Sequence, residues 1–134
     1  MAKAGDSYIV TLEKAHLEWG THRYTGSRPQ IYGEGYLHIP RPVANAFSLY
    51  NSNYTGGADV LGVNVFNCTS ADGLFNGQLK AQGNSGRGDV YAKQFSGNND
   101  LQALGSWYST IGAQIGDRVE VRWTSPTDIR IELI

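Results

Sequence analysis

Hydrophobic and polar positions alternate most regularly near the end of the chain. Apolar side chains occupy every second position at 119–123 and again at 129–133, and the polar segment 125–128 lies between them. Alternation with a period of two predicts strands that bury one face, and the turn residues between them predict an antiparallel hairpin. We therefore predict a C-terminal hairpin whose solvated face carries Arg118, Arg122 and Arg130.

Further runs rich in β-branched and aromatic residues predict more strands, because such side chains pack well on a pleated surface. They are interrupted by Gly, Pro, Asn and Asp, which favour turns. These predicted strands lie at 8–12, 36–39, 60–66 and 90–95.

Two segments have the spacing of short helices instead. In the first, Pro42 suits a position in the first turn, and the apolar positions are Val43, Ala46, Phe47 and Tyr50. The second begins after a possible cap at Asn99 or Asp100 and ends before Gly112, with its apolar face at Leu101, Leu104, Trp107 and Tyr108. Both are too short to be stable alone, so we expect them to close the open ends of a sheet.

Two predicted loops are longer than a compact domain needs for connection. They cover 14–35 and 80–89, and the second contains Gly83, Gly86 and Gly88. Long loops on a small β scaffold often carry function. The pattern as a whole predicts one barrel-like, mainly β domain with two short helices.

Charge divides the chain into two unlike parts. The protein has 134 residues, 17% of them charged, and a formal net charge of −1. Segments 14–41 and 80–93 together carry +4, whereas the remainder carries −5. The near-zero total therefore does not exclude a polyanionic partner, because the field that a partner meets depends on the face it approaches.

Composition also limits compartment and chemistry. A single cysteine, Cys68, excludes an internal disulfide and is expected as a small buried side chain. Neither an apolar signal core nor an apolar run of about 20 residues occurs, so we expect a cytoplasmic protein that does not enter a membrane.

No catalytic motif occurs. The Gly-x-x-x-x-Gly-Lys and Gly-x-Ser-x-Gly motifs, the Asp-x-Lys or Glu-x-Lys pair of metal-dependent nucleases and ordinary zinc-ligand spacing are all missing. We therefore predict a non-catalytic binding domain with no cofactor and no metal.

Four landmarks in order resemble those of B3 DNA-binding domains. The first is the segment 35–47, which begins Gly-Tyr-Leu-His-Ile-Pro-Arg-Pro and continues into the first predicted helix. The second is a strand-turn-strand that includes 63–66 and 71–73, and the third is Trp107 in the second predicted helix. The fourth is the segment 115–121, in which Gly-Asp leads into a strand. The similarity covers about residues 7 to 134. Within the family the chain is most similar to the B3-like effector domains of bacterial restriction endonucleases, although its second loop is richer in glycine and poorer in arginine.

This resemblance implies a seven-stranded open pseudobarrel with two short helices, formed by residues 1–134 as a single domain. It also implies that two arms, at about 14–35 and 78–95, grip the major groove of double-stranded DNA. The domain would be a monomer when isolated and fused to a nuclease domain in the full-length protein of a bacterial restriction-modification system.

Arg and Lys contact phosphates or guanine, Gln and Asn match adenine, and an acid accepts from cytosine. The residues expected to contact DNA on these grounds are Arg23, Arg28, Lys80, Arg87, Asp89 and Lys93, followed by His22, Tyr24, Gln30, Arg41, Gln82, Asn84, Tyr91 and Gln94.

Two other hypotheses remain open at this stage. Asn, Gly, Tyr and Trp on a β scaffold also suit carbohydrate binding, which would be insensitive to salt, unlike phosphate contacts. A structural domain of a phage or secretion system would self-assemble and bind neither ligand.

Overall fold

The computed structural model describes residues 2–13, 17, 35–51, 59–83, 90–100 and 102–134. In this part of the chain seven strands and two helices follow one another. They are β1 (Ser7–Thr11), β2 (Leu37–His38), α1 (Arg41–Phe47), β3 (Val65–Ser70), β4 (Asn76–Gln82), β5 (Gln94–Gly97), α2 (Ala103–Ile111), β6 (Arg118–Ser125) and β7 (Asp128–Leu133).

The seven strands form one mixed sheet in the order β1-β6-β7-β3-β4-β5-β2. Only β3 and β7 pair in parallel; the other neighbours are antiparallel. The sheet curls into a nearly closed barrel, which brings the edge strands β1 and β2 together. The predicted mainly β pseudobarrel with two short helices is therefore confirmed.

Two buried tyrosines hold the short strand β2. The hydroxyl of Tyr8 on β1 donates to the carbonyl of His38 at 3.0 Å, and the hydroxyl of Tyr108 on α2 donates to the carbonyl of Tyr36 at 2.9 Å. Burial raises the pKa of both phenols, so both remain protonated donors. These bonds satisfy main-chain carbonyls at the edge of the sheet that no neighbouring strand reaches.

The predicted C-terminal hairpin is confirmed. Its apolar side chains at 119, 121, 123, 129 and 131 are buried, whereas Arg118, Arg122 and Arg130 are exposed. The guanidinium of Arg122 donates to both carboxylate oxygens of Glu120, at 3.2 and 3.3 Å.

The strand predicted at 60–66 begins only at Val65, so its first half was predicted wrongly. Gly62 adopts a positive φ of 88°, and the Asn64 side chain accepts a hydrogen bond from the amide of Val60 at 2.7 Å. This local turn replaces strand pairing at 60–64, because the amide side chain competes with the ladder for the backbone donor.

The two helices are shorter than their apolar patterns predict. Helix α1 begins with Pro42 in its first turn, as predicted, but ends at Ser48, whose left-handed φ of 53° leaves Tyr50 outside the helix. Its buried residue is Ala44 rather than Ala46, which is exposed. Helix α2 begins at Ala103 and ends at the predicted Gly112, which is left-handed. No helix in the described part of the chain has both the length and the apolar character needed to cross a membrane.

The turn between β3 and β4 is organised by Asp72. Its carboxylate accepts hydrogen bonds from the Ser70 hydroxyl, from the Leu74 amide at 2.8 Å and from the indole Nε1 of Trp107 at 3.0 Å. The same three bonds, that from Ser70 foremost, hold the pKa of Asp72 below its ordinary value of 3.8. The turn is thereby attached to helix α2 through an ionised side chain.

Replacing Asp72 by asparagine is expected to lower the thermal unfolding temperature at neutral pH, because an amide presents one acceptor oxygen instead of two. The pKa of Asp72 is lower in the folded than in the unfolded protein. The ionised carboxylate therefore stabilises the fold at pH values above its ordinary pKa, and this stabilisation is lost as the pH falls through the pKa of the folded state. The difference in unfolding temperature between the two proteins should therefore be largest near neutrality and should shrink below about pH 4. A difference that stays constant across the acid range would contradict this assignment.

Candidate nucleic-acid interface

The described ends of the two long loops identify where those loops join the barrel. The loop predicted at 14–35 leaves after Glu13 and returns at Tyr36, next to β2, whereas the second loop leaves after Gly83 at the end of β4 and returns at Val90, ahead of β5. Strand β4 extends to Gln82 and β5 begins only at Gln94, so the connection between them starts and ends later than the predicted segment 80–89.

The two loops enter neighbouring strands from opposite ends. Strands β2 and β5 are antiparallel, with Leu37 opposite Phe95 and His38 opposite Gln94. The first loop leads into β2 at Leu37, whereas the second leads into β5 at Gln94, so the outer face of β2, β5 and β4 lies between the two roots. Two loops arranged in this way can flank a ligand that lies on that face.

We call the outward side chains on this face the polar strip. The alternate side chains Leu37, Phe95 and Ala81 are fully buried in the core. Because successive side chains point to opposite faces of a sheet, the residues between them point outward. The polar strip consists of His38, Gln94, Ser96, Gln82 and Lys80.

Hydrogen bonds and one ion pair organise the polar strip. Ser96 is 3% exposed, and its hydroxyl donates to Oε1 of Gln82 at 2.9 Å. The ammonium of Lys80 lies 3.1 Å from a carboxylate oxygen of Asp59. Asp59 therefore offsets the charge of the cation predicted to contact DNA, and the strip presents amides more than net charge.

Electrostatics at the root of the first loop centre on Glu13. Desolvation by its neighbours lowers the pKa of His38, and the nearby Glu13 carboxylate opposes this shift. For Tyr36, burial raises the pKa and the same carboxylate raises it further. Glu13 thus lies close to both residues, so the two ends of the first loop meet beside the polar strip.

The root of the second loop is closed by Asn51, which has no exposed surface. The side-chain Oδ1 of Asn51 accepts a hydrogen bond from the main-chain N–H of Gly83 at 3.0 Å. The main-chain N–H of Asn51 donates to the carbonyl of Val90 at 2.9 Å. One buried residue therefore connects both ends of the segment 83–90.

The residues before Asn51 extend this connection. The carbonyl of Leu49 accepts from the amide of Ala92 at 2.8 Å, and the rings of Tyr50 and Tyr91 stack at 5.6 Å with an interplanar angle of 17°. The segment that follows helix α1 thus pairs with residues 90–92, at the returning end of the second loop.

Replacing Asn51 by alanine is expected to cost about 1–3 kcal/mol of unfolding free energy, because the half-buried amide of Gly83 loses the acceptor that the fully buried Asn51 side chain provides. Hydrogen exchange should accelerate at Gly83 and at 90–92 in particular. Asn76 is exposed on β4, so Asn76→Ala is a matched control that should leave exchange at these amides unchanged. Equal exchange in the two variants would show that Asn51 does not hold the loop root.

Six of the residues predicted to contact DNA lie in the described part of the chain. Lys80, Gln82 and Gln94 belong to the polar strip, Lys93 and Tyr91 lie on the returning end of the second loop, and Arg41 is exposed at the start of α1. The amide of Lys93 donates to the carbonyl of Gln82 at 2.7 Å, and its carbonyl accepts from Ile39 at 2.8 Å, so its backbone joins β2 to β4. Outside the described residues lie Arg23, Arg28, Arg87, Asp89, His22, Tyr24, Gln30 and Asn84.

Sequence reasoning missed four residues that organise this region: His38, Asn51, Asp59 and Ser96. His38 could have been found from the alternation in 36–39, since its neighbours Leu37 and Ile39 are both apolar. The other three carry no local signal, because their partners lie 14 to 32 residues away along the chain or in another element.

Cys68, the lone thiol, lies in the core on β3 with 1% of its surface exposed. Burial raises the pKa of its thiol, which disfavours the nucleophilic thiolate. The expectation of a small buried side chain is confirmed. Elsewhere, the described residues bring together no group of three or more His, Cys, Asp or Glu side chains that could hold a metal ion.

Neither a family model, nor a curated protein, nor a solved structure matches this chain.

Proposed function

We propose that this domain binds double-stranded DNA in a sequence-specific manner through its two long loops, without catalysis of its own, as the specificity domain of a larger restriction endonuclease. The observation that carries the proposal is that the two loop roots flank the polar strip from opposite ends. A duplex lying on the strip would have one loop on each side.

The distribution of charge also favours a duplex that lies on the polar strip. Segments 14–41 and 80–93, which contain both loops, carry +4, whereas the rest of the chain carries −5. Phosphate attraction is therefore concentrated where the loops are, and the acidic remainder of the barrel disfavours other approaches.

The chemistry of the polar strip complements that of the loops. Lys80 is paired with Asp59, so the strip offers Gln82, Gln94 and His38 rather than an unpaired cation. Amide side chains suit base edges, whereas Arg and Lys on the loops suit phosphates and guanine. Contacts that position the duplex and contacts that read it would thus come from different parts of one surface.

The test is selection from randomised duplexes, followed by binding measurements at several salt concentrations. Arg87→Ala should weaken binding by about 1–3 kcal/mol and relax discrimination at one position, whereas Arg41→Ala should weaken all sequences alike and reduce the salt dependence by about one phosphate. The matched control is Arg118→Ala, on the exposed face of the C-terminal hairpin. It should leave the affinity, the discrimination between sequences and the salt dependence unchanged.

Two outcomes would contradict the proposal. Equal losses on selected and random duplexes for every loop variant would remove the claim of specificity. Absence of any salt-dependent duplex binding would remove DNA as the ligand.

A further inference from the structure

Gln82 and Gln94 lie directly opposite each other on adjacent antiparallel strands of the polar strip. Both side chains are half-buried and point outward, since their neighbours Ala81 and Phe95 are fully buried. Opposed residues in such a pair have their Cβ atoms about 5 Å apart. The two carboxamides therefore form a neighbouring pair at the point where β4 ends and β5 begins.

These two carboxamides differ in how much of their hydrogen-bonding capacity the protein uses. The Oε1 atom of Gln82 accepts from Ser96, which fixes the amide and leaves its Nε2 without a hydrogen bond in the described part of the chain. The carboxamide of Gln94 makes no hydrogen bond to any described residue. Gln94 thus retains both a donor and an acceptor, and Gln82 retains its donor.

A third glutamine on the same strand shows the opposite arrangement. Nε2 of Gln78 donates to Oδ1 of Asn67 at 3.1 Å, and its Oε1 accepts from Nδ2 of Asn98 at 3.0 Å. Its amide is engaged on both sides within the protein. Unused amides are therefore a property of the end of β4 that lies next to the second loop, and not of the whole outer face.

We infer that Gln94 reads an adenine in the major groove, with its Oε1 accepting from adenine N6 and its Nε2 donating to adenine N7, and that Nε2 of Gln82 donates to an acceptor on the neighbouring base pair. This inference rests on the proposed function and deepens it by naming a base and its readers. A carboxamide with both atoms unused is the group that pairs with adenine in this bidentate manner. The Cβ atoms of such an opposed pair are about 5 Å apart, so the two flexible side chains can reach successive base pairs, which are about 3.4 Å apart.

Local electrostatics favour base edges over phosphates at this place. Lys80, the cation of the strip, lies 3.1 Å from Asp59, which offsets its charge. A phosphate placed on the strip would meet two neutral amides and a compensated ion pair. A neutral base edge needs only the hydrogen-bonding groups that Gln82 and Gln94 provide.

The experiment compares the sequence selected from randomised duplexes by the wild-type domain and by Gln94→Ala, Gln82→Ala and Gln78→Ala. Gln94→Ala should lower the preference for one adenine by about tenfold or more, and Gln82→Ala should relax the adjacent position. The control Gln78→Ala should select the wild-type sequence, because its amide is already occupied.

A second measurement tests the atoms involved. Replacing the selected adenine by 7-deazaadenine removes the N7 acceptor and should weaken binding by the wild-type domain several-fold, while binding by Gln94→Ala should hardly change. The same loss in both proteins would mean that Gln94 does not contact that adenine and would overturn the inference, as would a Gln94→Ala variant that keeps the wild-type preference. Failure of the wild-type domain to bind any duplex would instead overturn the proposed function itself.

Discussion

Replacing Trp123 by alanine is expected to destabilise the protein by about 4 kcal/mol, a large part of the stability of a typical domain. Trp123 has no exposed surface and lies at the centre of the aromatic core. The rings of Phe47 and Phe66 contact it edge-on, at centroid distances of 5.3 and 5.7 Å, and Tyr8 and Phe95 lie at 6.3 Å. Truncation would open a cavity between α1, β3, β5 and β6. Denaturation in urea measures the resulting loss of unfolding free energy.

The matched variant is Trp123→Phe. The indole Nε1 of Trp123 is buried without a hydrogen-bond partner in the described part of the chain, and an unsatisfied buried donor costs about 1–3 kcal/mol. Phenylalanine keeps most of the ring packing and removes that donor, so its cost should stay below about 1.5 kcal/mol. A phenylalanine variant as unstable as the alanine variant would show that the indole N–H is not an unsatisfied group.

Replacing Gly97 by alanine is expected to destabilise the protein by about 3 kcal/mol or more. A Cβ atom at this position would lie 2.0 Å from the carbonyl oxygen of Asp100 and 2.8 Å from Cβ of Ala103. The nearest obstacle is backbone, so a side-chain rotation cannot relieve the clash. The turn from β5 into α2 would have to move, and the helix with it.

Gly77 provides the control, because it is also a strand glycine but lies in open surroundings. A Cβ atom at Gly77 would meet only a ring carbon of Phe75, at 4.0 Å. We expect Gly77→Ala to change the unfolding free energy by less than about 1 kcal/mol, in either direction. If the two alanine variants lose equal stability in urea denaturation, the loss comes from the strand and not from the close approach of α2.

Local pattern was sufficient for most of the elements of the fold. The C-terminal hairpin was predicted to the residue at its turn, because alternation and turn chemistry act over a few neighbouring positions. The ends of the elements were less predictable where a side-chain hydrogen bond or a left-handed backbone conformation interrupts the regular structure. Asn64 bonds to the amide of Val60 and delays β3, and a left-handed Ser48 ends α1 early.

The candidate site was predictable in its residue types and not in its connections. Gln82 and Gln94 were identified as amides on or beside a basic loop, but nothing in their sequence neighbourhood indicates that they face each other. Asn51 gave no signal, because its role depends on Gly83, which lies 32 residues away in sequence.

Sequence by itself determined the mainly β class, the two short helices, the burial of Cys68 and the separation of basic loops from an acidic remainder, since periodicity and composition are local or additive quantities. The tertiary structure alone decided that the loop roots enter β2 and β5 from opposite ends, that Asp59 offsets Lys80, and that Gln78 is engaged while Gln94 is not. Those features depend on strand register. Register is set by the burial of one face over the whole sheet, so no short segment of the chain specifies it.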